Sequence, residues 1–310
     1  MDPVRKISRV FNSSEEILID DSSKIIIMSD NHRGDGGWGD NFSKNQNLYY
    51  AALNYYYDKG FTYIEVGDGD ELWENRSFSA IVEAYRDIFL LLAKYYKEKR
   101  LYFIYGNHDM DKKKEKFAKN YLYEFLDERI NEYVPLFPNI KIHEGLILIY
   151  KNRKNKIFLT HGHQVELLNN ELWKIARFLV RYLWRPLELY GVNNPTRTAK
   201  NHKKKDKVAK KLMEWVIKEG YILIAGHNHM PSFAEIGEVP YFNSGSCIHP
   251  FAITGIEIFE GKISLIRWYT STRKDGSLYV EREILAGPRK LEDYFATKNH
   301  IRYRYQIGSL

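Results

Sequence analysis

Short apolar runs alternate with longer amphipathic stretches through the first half of the chain. The runs KIIIM (24–28), FTYIEV (61–66) and LYFIY (101–105) each end abruptly in polar residues and glycine, which predicts buried strands. Between them, SKNQNLYYAALNYYYDKG and SFSAIVEAYRDIFLLLAKYYKEKR have helical spacing, and we predict the second as one long helix. This β-α-β-α-β order is typical of a largely parallel sheet covered by helices.

The second half of the chain changes its pattern. Further strands are predicted in IKIHEGLILIY and KIFLTHGH, followed by a helical, basic stretch and by the strand YILIAGHNH. Four strand-like segments then follow without helices: VPYFNSGS, GIEIFEG, KISLIRWYT and LYVEREIL. We therefore predict antiparallel β structure in the carboxyl-terminal part. The economical organisation is a single domain of residues 1–310 with a helical insert at 165–220.

Side chains that can bind metals or transfer protons follow most of these strands. They are Asp30, His32, Asp68, Asn107, His108, Asp109, His161, His227 and His229. Because ligands gather beyond the carboxyl ends of strands in α/β sheets, we expect these residues to converge in one crevice. Oxygen and imidazole ligands without thiolates suit Mn, Fe, Co, Ni or Zn. The set is too large for one ion, which needs three or four protein ligands, so we expect two ions that share a carboxylate.

Five ordered motifs carry a family resemblance. DNH, GDGDE, GNHD, HGH and GHNH follow one another over about 200 of the 310 residues. Together they resemble the calcineurin-like metallophosphoesterase superfamily, whose motifs are D-x-H, G-D-x-x-[DE], G-N-H-[DE], a histidine after a strand, and G-H-x-H. The resemblance implies a four-layer αββα fold, a two-sheet β sandwich flanked by helices, here with a helical insert.

The resemblance also implies roles for individual residues. The ligands of the first metal would be Asp30, His32, Asp68 and His229. The ligands of the second metal would be Asp68, Asn107, His161 and His227. Asp68 and a hydroxide would bridge the metals, and the hydroxide would attack phosphorus. His108 would be the general acid, oriented by Asp109. Arg33 and His163 would be substrate contacts. Manganese is the expected metal, with iron, zinc, cobalt and nickel as alternatives.

The insert between His161 and His227 suggests partners. It combines apolar helical strips with the basic run RTAKNHKKKDKVAKK, so residues 165–211 could form a lid that contacts an acyl chain or an anionic membrane surface. The net charge of +7 favours anionic partners, although the lysines also fit a solvated surface. Nucleic acid is the less favoured partner. The sequence shows no sign of an obligate protein partner.

The layout narrows the resemblance without fixing the substrate. The insert, the segment GDGDELW and the motif GHNHMP look like the branch of UDP-2,3-diacylglucosamine pyrophosphohydrolases, but that branch usually has arginine where this chain has His108. The leading prediction is a phosphoester hydrolase acting on a phosphodiester or a nucleotide-linked diphosphate. Alternatives are a phosphomonoesterase, a nuclease and a non-catalytic scaffold. A single cysteine, no secretory signal and no spanning helix favour a cytoplasmic protein, peripheral to a membrane at most.

Overall fold

The structure of the chain, a computed structural model, describes residues 2–166, 172–184 and 202–297. Its α-helices are α1 (Pro3–Ser13), α2 (Gln46–Asp58), α3 (Phe78–Ala84), α4 (Arg86–Lys97), α5 (Glu115–Phe117), α6 (Trp173–Leu179) and α7 (His202–Glu219), and residues 291–297 are also helical. Its strands are β1 (Glu15–Ile19), β2 (Lys24–Met28), β3 (Thr62–Val66), β4 (Leu101–Ile104), β5 (Glu124–Asp127), β6 (Glu132–Pro135), β7 (Ile142–His143), β8 (Gly145–Tyr150), β9 (Lys156–Thr160), β10 (Ile222–Ala225), β11 (Tyr241–Asn243), β12 (Ala252–Phe259), β13 (Lys262–Thr272) and β14 (Leu278–Lys290). Short 3₁₀ helices cover Ser43–Asn45, Met110–Lys113 and His163–Val165, and π-helical turns cover Ala118–Leu122 and Val180–Trp184.

Two large sheets contain most of these strands. The larger has the order β14-β13-β12-β2-β3-β4-β7 and the smaller the order β1-β8-β9-β10-β11. In the larger sheet β2, β3, β4 and β7 run parallel, as predicted, while β12, β13 and β14 are antiparallel. β5 and β6 form a separate antiparallel hairpin. The βαβ units therefore deliver the ends of β2, β3 and β4 to the same edge of the sheet.

The two sheets pack face to face, with helices on both outer faces. In β2, Ile25 and Ile27 join the core between the sheets, together with Leu148 of β8. Ile26 and Met28 point the other way, into the core under α2 and α4. A third core joins the smaller sheet to α1 and α7. Because both faces of β2 are buried, its apolar run is continuous rather than alternating. The predicted four-layer αββα fold is confirmed.

Three local predictions need correction. The long helix after β3 is two helices, because Tyr85 leaves the helical conformation (φ −118°, ψ 33°) and its hydroxyl donates to Asp40 in the core. The segment IKIHEGLILIY forms two strands, β7 and β8, in different sheets. β11 pairs parallel to β10, so the carboxyl-terminal strands are antiparallel only from β12 onward. Among the helices that the structure describes, none has the length and apolar character needed to cross a membrane.

A matched pair of leucines tests the core between the sheets. Leu148 is fully buried there, whereas Leu18, on the neighbouring strand β1, is 79% exposed. We expect Leu148→Ala to lower the free energy of unfolding by about 2–5 kcal/mol, since it removes buried surface and leaves a cavity. Leu18→Ala should change it by about 0.5 kcal/mol or less. Urea unfolding followed by circular dichroism measures both; equal losses would contradict the packing described here.

Candidate metal centre

The site lies where strands of both sheets end. The loops after β2, β3, β4, β9 and β10 meet there, and main-chain hydrogen bonds join them. His32 N donates to Asp68 O (2.8 Å) and Gly226 N to His161 O (3.1 Å). Segments that are distant in sequence are thus held together by the backbone itself.

Two groups of predicted ligands form in this crevice. The first group is Asp30, His32 and His229, and the second is Asp68, His161 and His227. Within each group the candidate ligand atoms lie within 4.8 Å of one another, and all six residues are buried. Asp68 Oδ2 is 3.1 Å from His161 Nε2 and 3.7 Å from His32 Nε2. Asp68 therefore stands between the two groups, where a bridging carboxylate would have to be.

Several buried polar atoms in the crevice lack a hydrogen-bond partner among the described residues. Asn107 Oδ1 is one of them. Asp30 Oδ1 and His161 Nε2 also lack a partner in hydrogen-bonding geometry, and the atoms that lie near them, His229 Nε2 at 3.0 Å and Asp68 Oδ2 at 3.1 Å, belong to other candidate ligands. An unpaired buried polar atom costs about 1–3 kcal/mol, so candidate ligand atoms that meet one another in this way call for a compensating partner. Carboxylate oxygen, amide oxygen and imidazole nitrogen are ligands of divalent cations. The residues present therefore fit a centre that binds such cations.

Ring nitrogens of three predicted histidine ligands are already held by the protein. The contacts are His32 Nδ1 with Glu71 Oε2 (2.7 Å), His161 Nδ1 with Val66 O (2.9 Å) and His227 Nε2 with Glu166 Oε2 (2.6 Å). Contacts of this kind fix the tautomer and the ring orientation of a metal-binding histidine. One nitrogen of each ring is left to face a cation.

The backbone of the site is strained. Positive φ angles occur at Asp30 (54°), His32 (49°), Asp68 (51°), His227 (71°) and His229 (57°). Such conformations cost of order 1–3 kcal/mol each and persist where the surroundings enforce them, typically at functional sites. Glycine is required beside them: a Cβ atom on Gly106 would lie 2.1 Å from Asp68 Oδ1, and one on Gly226 would lie 2.6 Å from Asp30 Oδ2.

His108 borders the first group of ligands. Its ring stacks on Trp73 with centroids 4.4 Å apart and meets the edge of His32 at 4.6 Å. His108 Nδ1 lies 2.7 Å from Glu71 Oε1, while the other oxygen of Glu71 holds His32. One carboxylate therefore orients both imidazoles, and Nε2 of His108 is the nitrogen left for chemistry.

Comparison with known proteins agrees with this geometry. The sequence profile described as calcineurin-like phosphoesterase (Metallophos) matches residues 23–231. The chain belongs to the calcineurin-like phosphoesterase family. Members of this family use divalent metals, and the buried His/Asp groups of this phosphoesterase fit that use.

Two solved structures are distantly similar to this chain. Vps29 of Chaetomium thermophilum is 10% identical, over 85% of this chain and 96% of that chain, with a TM-score of 0.38. The same Vps29 complexed with the RaPID-derived cyclic peptide RT-D3 gives the same identity and coverage, with a TM-score of 0.33. No curated protein sequence matches the chain. These values support no inference about activity.

The structure corrects the role predicted for Asp109. Its carboxylate accepts from Gly106 N (2.6 Å), Gly69 N (3.1 Å) and Lys112 Nζ (2.7 Å), and it does not contact the ring of His108. Asp109 therefore joins the loops after β3 and β4, and Glu71 takes the orienting position. The sequence held a signal for Glu71, because it is the acidic residue that ends the GDGDE motif.

The two predicted substrate contacts are buried. Arg33 is 0% exposed, and its guanidinium donates to Glu65 (2.7 and 2.9 Å) and to Asp70 (2.7 Å). His163 is also 0% exposed, and its ring lies 5.5 Å from that of His161. Both ring nitrogens of His163 lack a hydrogen-bond partner among the described residues, and the substrate contacts of Arg33 and His163 stay predictions.

Part of the predicted insert falls outside the described residues, namely 167–171 and 185–201. The described part packs on the wall beside His108, where Trp173 and Val180 share a buried cluster with Trp73, Tyr105 and Met110. Its outer face carries Leu172, Ile175, Phe178 and Tyr182, which are 38–61% exposed. The lid predicted for residues 165–211 stays a prediction. Glu166, at the base of the insert, was missed because no motif marks it.

Burial and neighbouring negative charge shift the pKa values of the histidines in opposite directions. Burial lowers the pKa of His32, but its hydrogen bond to Glu71 and the charge of Asp68 raise it to about 9. Burial also lowers the pKa of His161, and the charges of Asp68 and Asp30 raise it to about 9. For His229 the effect of burial is larger than that of the Asp30 charge, and the pKa is lowered to about 4. The metal-free chain therefore holds extra protons on His32 and His161 at neutral pH.

Those protons make metal binding pH-dependent. Each of the two histidines must lose a proton before its nitrogen can bind a cation. We expect Mn²⁺ binding at pH 7.5 to release about two protons, and the affinity to rise about 100-fold per pH unit until the pKa values near 9 are reached. Calorimetry in buffers of different ionisation enthalpy counts the protons. Binding without proton release would contradict the assignment of these ligands.

A buried ion chain beneath the site offers a stability test. Lys112 Nζ lies 2.6 Å from Asp70 and 2.7 Å from Asp109 with the lysine 3% exposed, and these two charges raise its pKa against the effect of burial. We expect Lys112→Met to cost about 3–5 kcal/mol, because it removes the cation shared by two buried carboxylates and leaves Asp109 without a charged partner. The control Lys141→Met removes an exposed partner of Glu15 and should cost about 1 kcal/mol or less. Similar losses in urea unfolding would show that the chain is not a stabilising unit.

Proposed function

We propose that this chain is a two-metal phosphoester hydrolase. Asp68 is shared between the two ligand groups, Asn107 completes the second group, and His108 supplies the acid. The observation that carries the proposal is the position of Asp68 Oδ2, which lies 3.1 Å from His161 Nε2 and 3.7 Å from His32 Nε2, so that one carboxylate reaches both ligand groups. Two bound cations would polarise a phosphoryl group and neutralise the charge that develops on it. We propose manganese as the physiological metal, on the oxygen and imidazole donor set alone.

The protein's own contribution is the positioned acid. Glu71 Oε1 holds His108 Nδ1 at 2.7 Å, so Nε2 can carry the proton that the leaving oxygen takes up. Trp73 covers one face of the ring, which keeps the imidazole from swinging out of the crevice. Burial raises the pKa of Glu71, but His108 and the hydrogen bonds to both histidines hold that pKa well below its ordinary value. Glu71 therefore stays an acceptor throughout the physiological pH range.

For the substrate we propose a phosphodiester or a nucleotide-linked diphosphate. What supports an extended substrate is the insert, whose described part packs against Trp73, the residue that stacks on His108. The exposed apolar face of α6 supports a peripheral contact with an anionic lipid surface. His108 in place of arginine argues against the lipid-A precursor as the substrate. A phosphomonoesterase remains the alternative within the same chemistry.

His108→Ala tests the acid. We expect the variant to keep its Mn²⁺ and to lose about 10²–10⁴-fold in kcat on an alkyl phosphodiester, whose leaving oxygen needs a proton. The loss should be much smaller on bis(para-nitrophenyl) phosphate, because para-nitrophenolate leaves without protonation. Metal content is measured by elemental analysis, and turnover by release of the alcohol from the alkyl diester and of para-nitrophenolate from bis(para-nitrophenyl) phosphate.

The control is His143→Ala, which removes a buried imidazole on β7 outside both ligand groups. It should change turnover of the folded protein by about threefold at most. An equal loss on both esters would assign His108 a structural role instead. Bound metal without turnover of any mono- or diester in the native chain would favour a scaffold.

A further inference from the structure

A cavity lies between the loop after β3 and the π-helical turn of the insert. Its volume is about 400 Å³, and its walls include Asp35, Glu74, Arg76, Arg181 and Tyr182. This volume lies within the range of small-molecule sites, about 300–1,000 Å³. The cavity belongs to neither ligand group of the metal centre.

The cavity is connected to His108 through one residue. Trp73 stacks on His108 with ring centroids 4.4 Å apart, and the carbonyl of Trp73 accepts from Arg181 Nε at 2.9 Å. Arg181 lies in the cavity wall. With His108 as the acid of the proposed function, Trp73 links the place of the leaving oxygen to the wall of this cavity.

Two guanidinium groups in the wall are bonded only to neutral partners. Arg76 Nη2 donates to the hydroxyl of Tyr182 at 2.7 Å, and its guanidinium carbon lies 5.2 Å from that ring. Arg181 donates to the carbonyls of Leu72, Trp73 and Asn75 at 2.6–3.2 Å. In the described part of the chain, neither arginine lies within ion-pair distance of a carboxylate. An oxyanion would add charge-assisted bonds, which are about twice as strong as neutral ones.

The remaining walls include two carboxylates. Asp35 and Glu74 line the same space, and each already has an interaction partner within the chain. The two arginines are therefore the groups of the wall that can take up an incoming anion.

We propose that this cavity is a substrate subsite that binds a second anionic group, a phosphate or a carboxylate, on the leaving part of the substrate. Arg76 and Arg181 are the residues that recognise it. The proposal rests on the proposed function for the direction of the leaving group. It narrows the substrates to phosphoesters that carry a further oxyanion beyond the ester oxygen, such as diphosphates, bisphosphates and phosphorylated acids.

A series of probes of increasing length tests the subsite by binding alone, without turnover. The probes are alkane α,ω-bisphosphonates with one to six carbons, each compared with the monophosphonate of the same length. Calorimetry with the Mn²⁺-loaded full chain gives both dissociation constants. We expect at least one length at which the bisphosphonate binds about tenfold tighter or more, because its second group reaches the arginines.

The variant Arg76→Met should reduce that ratio about fivefold or more, and Arg76→Lys should restore part of it, since lysine keeps the charge but not the planar fork. Arg76 is exposed, so folding should be unaffected. Lys141→Met removes the same charge far from the cavity and should leave the ratio unchanged. Absence of an advantage at every length, or an unchanged ratio in Arg76→Met, would overturn the subsite. Absence of phosphoester turnover with an intact ratio would instead overturn the proposed function.

Discussion

A buried chain of alternating charges fixes the geometry on which the site depends. It runs from Glu65 through Arg33, Asp70 and Lys112 to Asp109, and every link is 2.6–2.9 Å long. Glu65 lies on β3, and the other four belong to the loops after β2, β3 and β4. The charges thus hold three loops against one another at the point where ligands leave the strands. Each ion is costly to bury, and only the complete set makes the arrangement favourable.

This rigidity explains why the ligand residues tolerate strained backbone. Five of them have positive φ angles, and the loops that carry them are joined by main-chain hydrogen bonds and closed by glycines. The free energy spent on these conformations comes from the four-layer fold, whose three apolar cores lie directly behind the loops. The ligand atoms are consequently set in place by the protein rather than gathered by a cation.

Much of the fold could be predicted from the sequence because the buried strands have unmistakable apolar runs. The parallel order of β2, β3 and β4 followed from the helices between them. Tyr85 ended a helix against its local propensity, because its hydroxyl bonds to Asp40 in the core. α1 was missed although Asp2 caps it and Pro3 begins it, since its apolar positions are few. In both cases, the break at Tyr85 and helix α1, contacts with distant residues decided the local structure. The neighbouring residues in the sequence do not indicate such contacts.

The candidate site shows the same difference between what the local sequence predicts and what tertiary contacts decide. Motif spacing brought Asp30, Asp68 and His161 together correctly, because residues at the ends of adjacent strands have little freedom. Motif spacing did not predict the partners of a side chain that can turn in more than one direction. Asp109 could turn towards His108 or towards Lys112, and the nearby cation and two backbone amides decided the matter. Arg33 likewise meets two buried acids, Glu65 and Asp70, which no motif indicates.

The reach of the Glu71 side chain has a consequence for any redesign of this site. Its two oxygens grip two imidazoles at once, each at 2.7 Å. Aspartate, one methylene shorter, could not span both rings from the same backbone position. Shortening this residue would therefore leave either the ring of His32 or the ring of His108 without its hydrogen bond. Position 71 and these two histidines can consequently be exchanged only together.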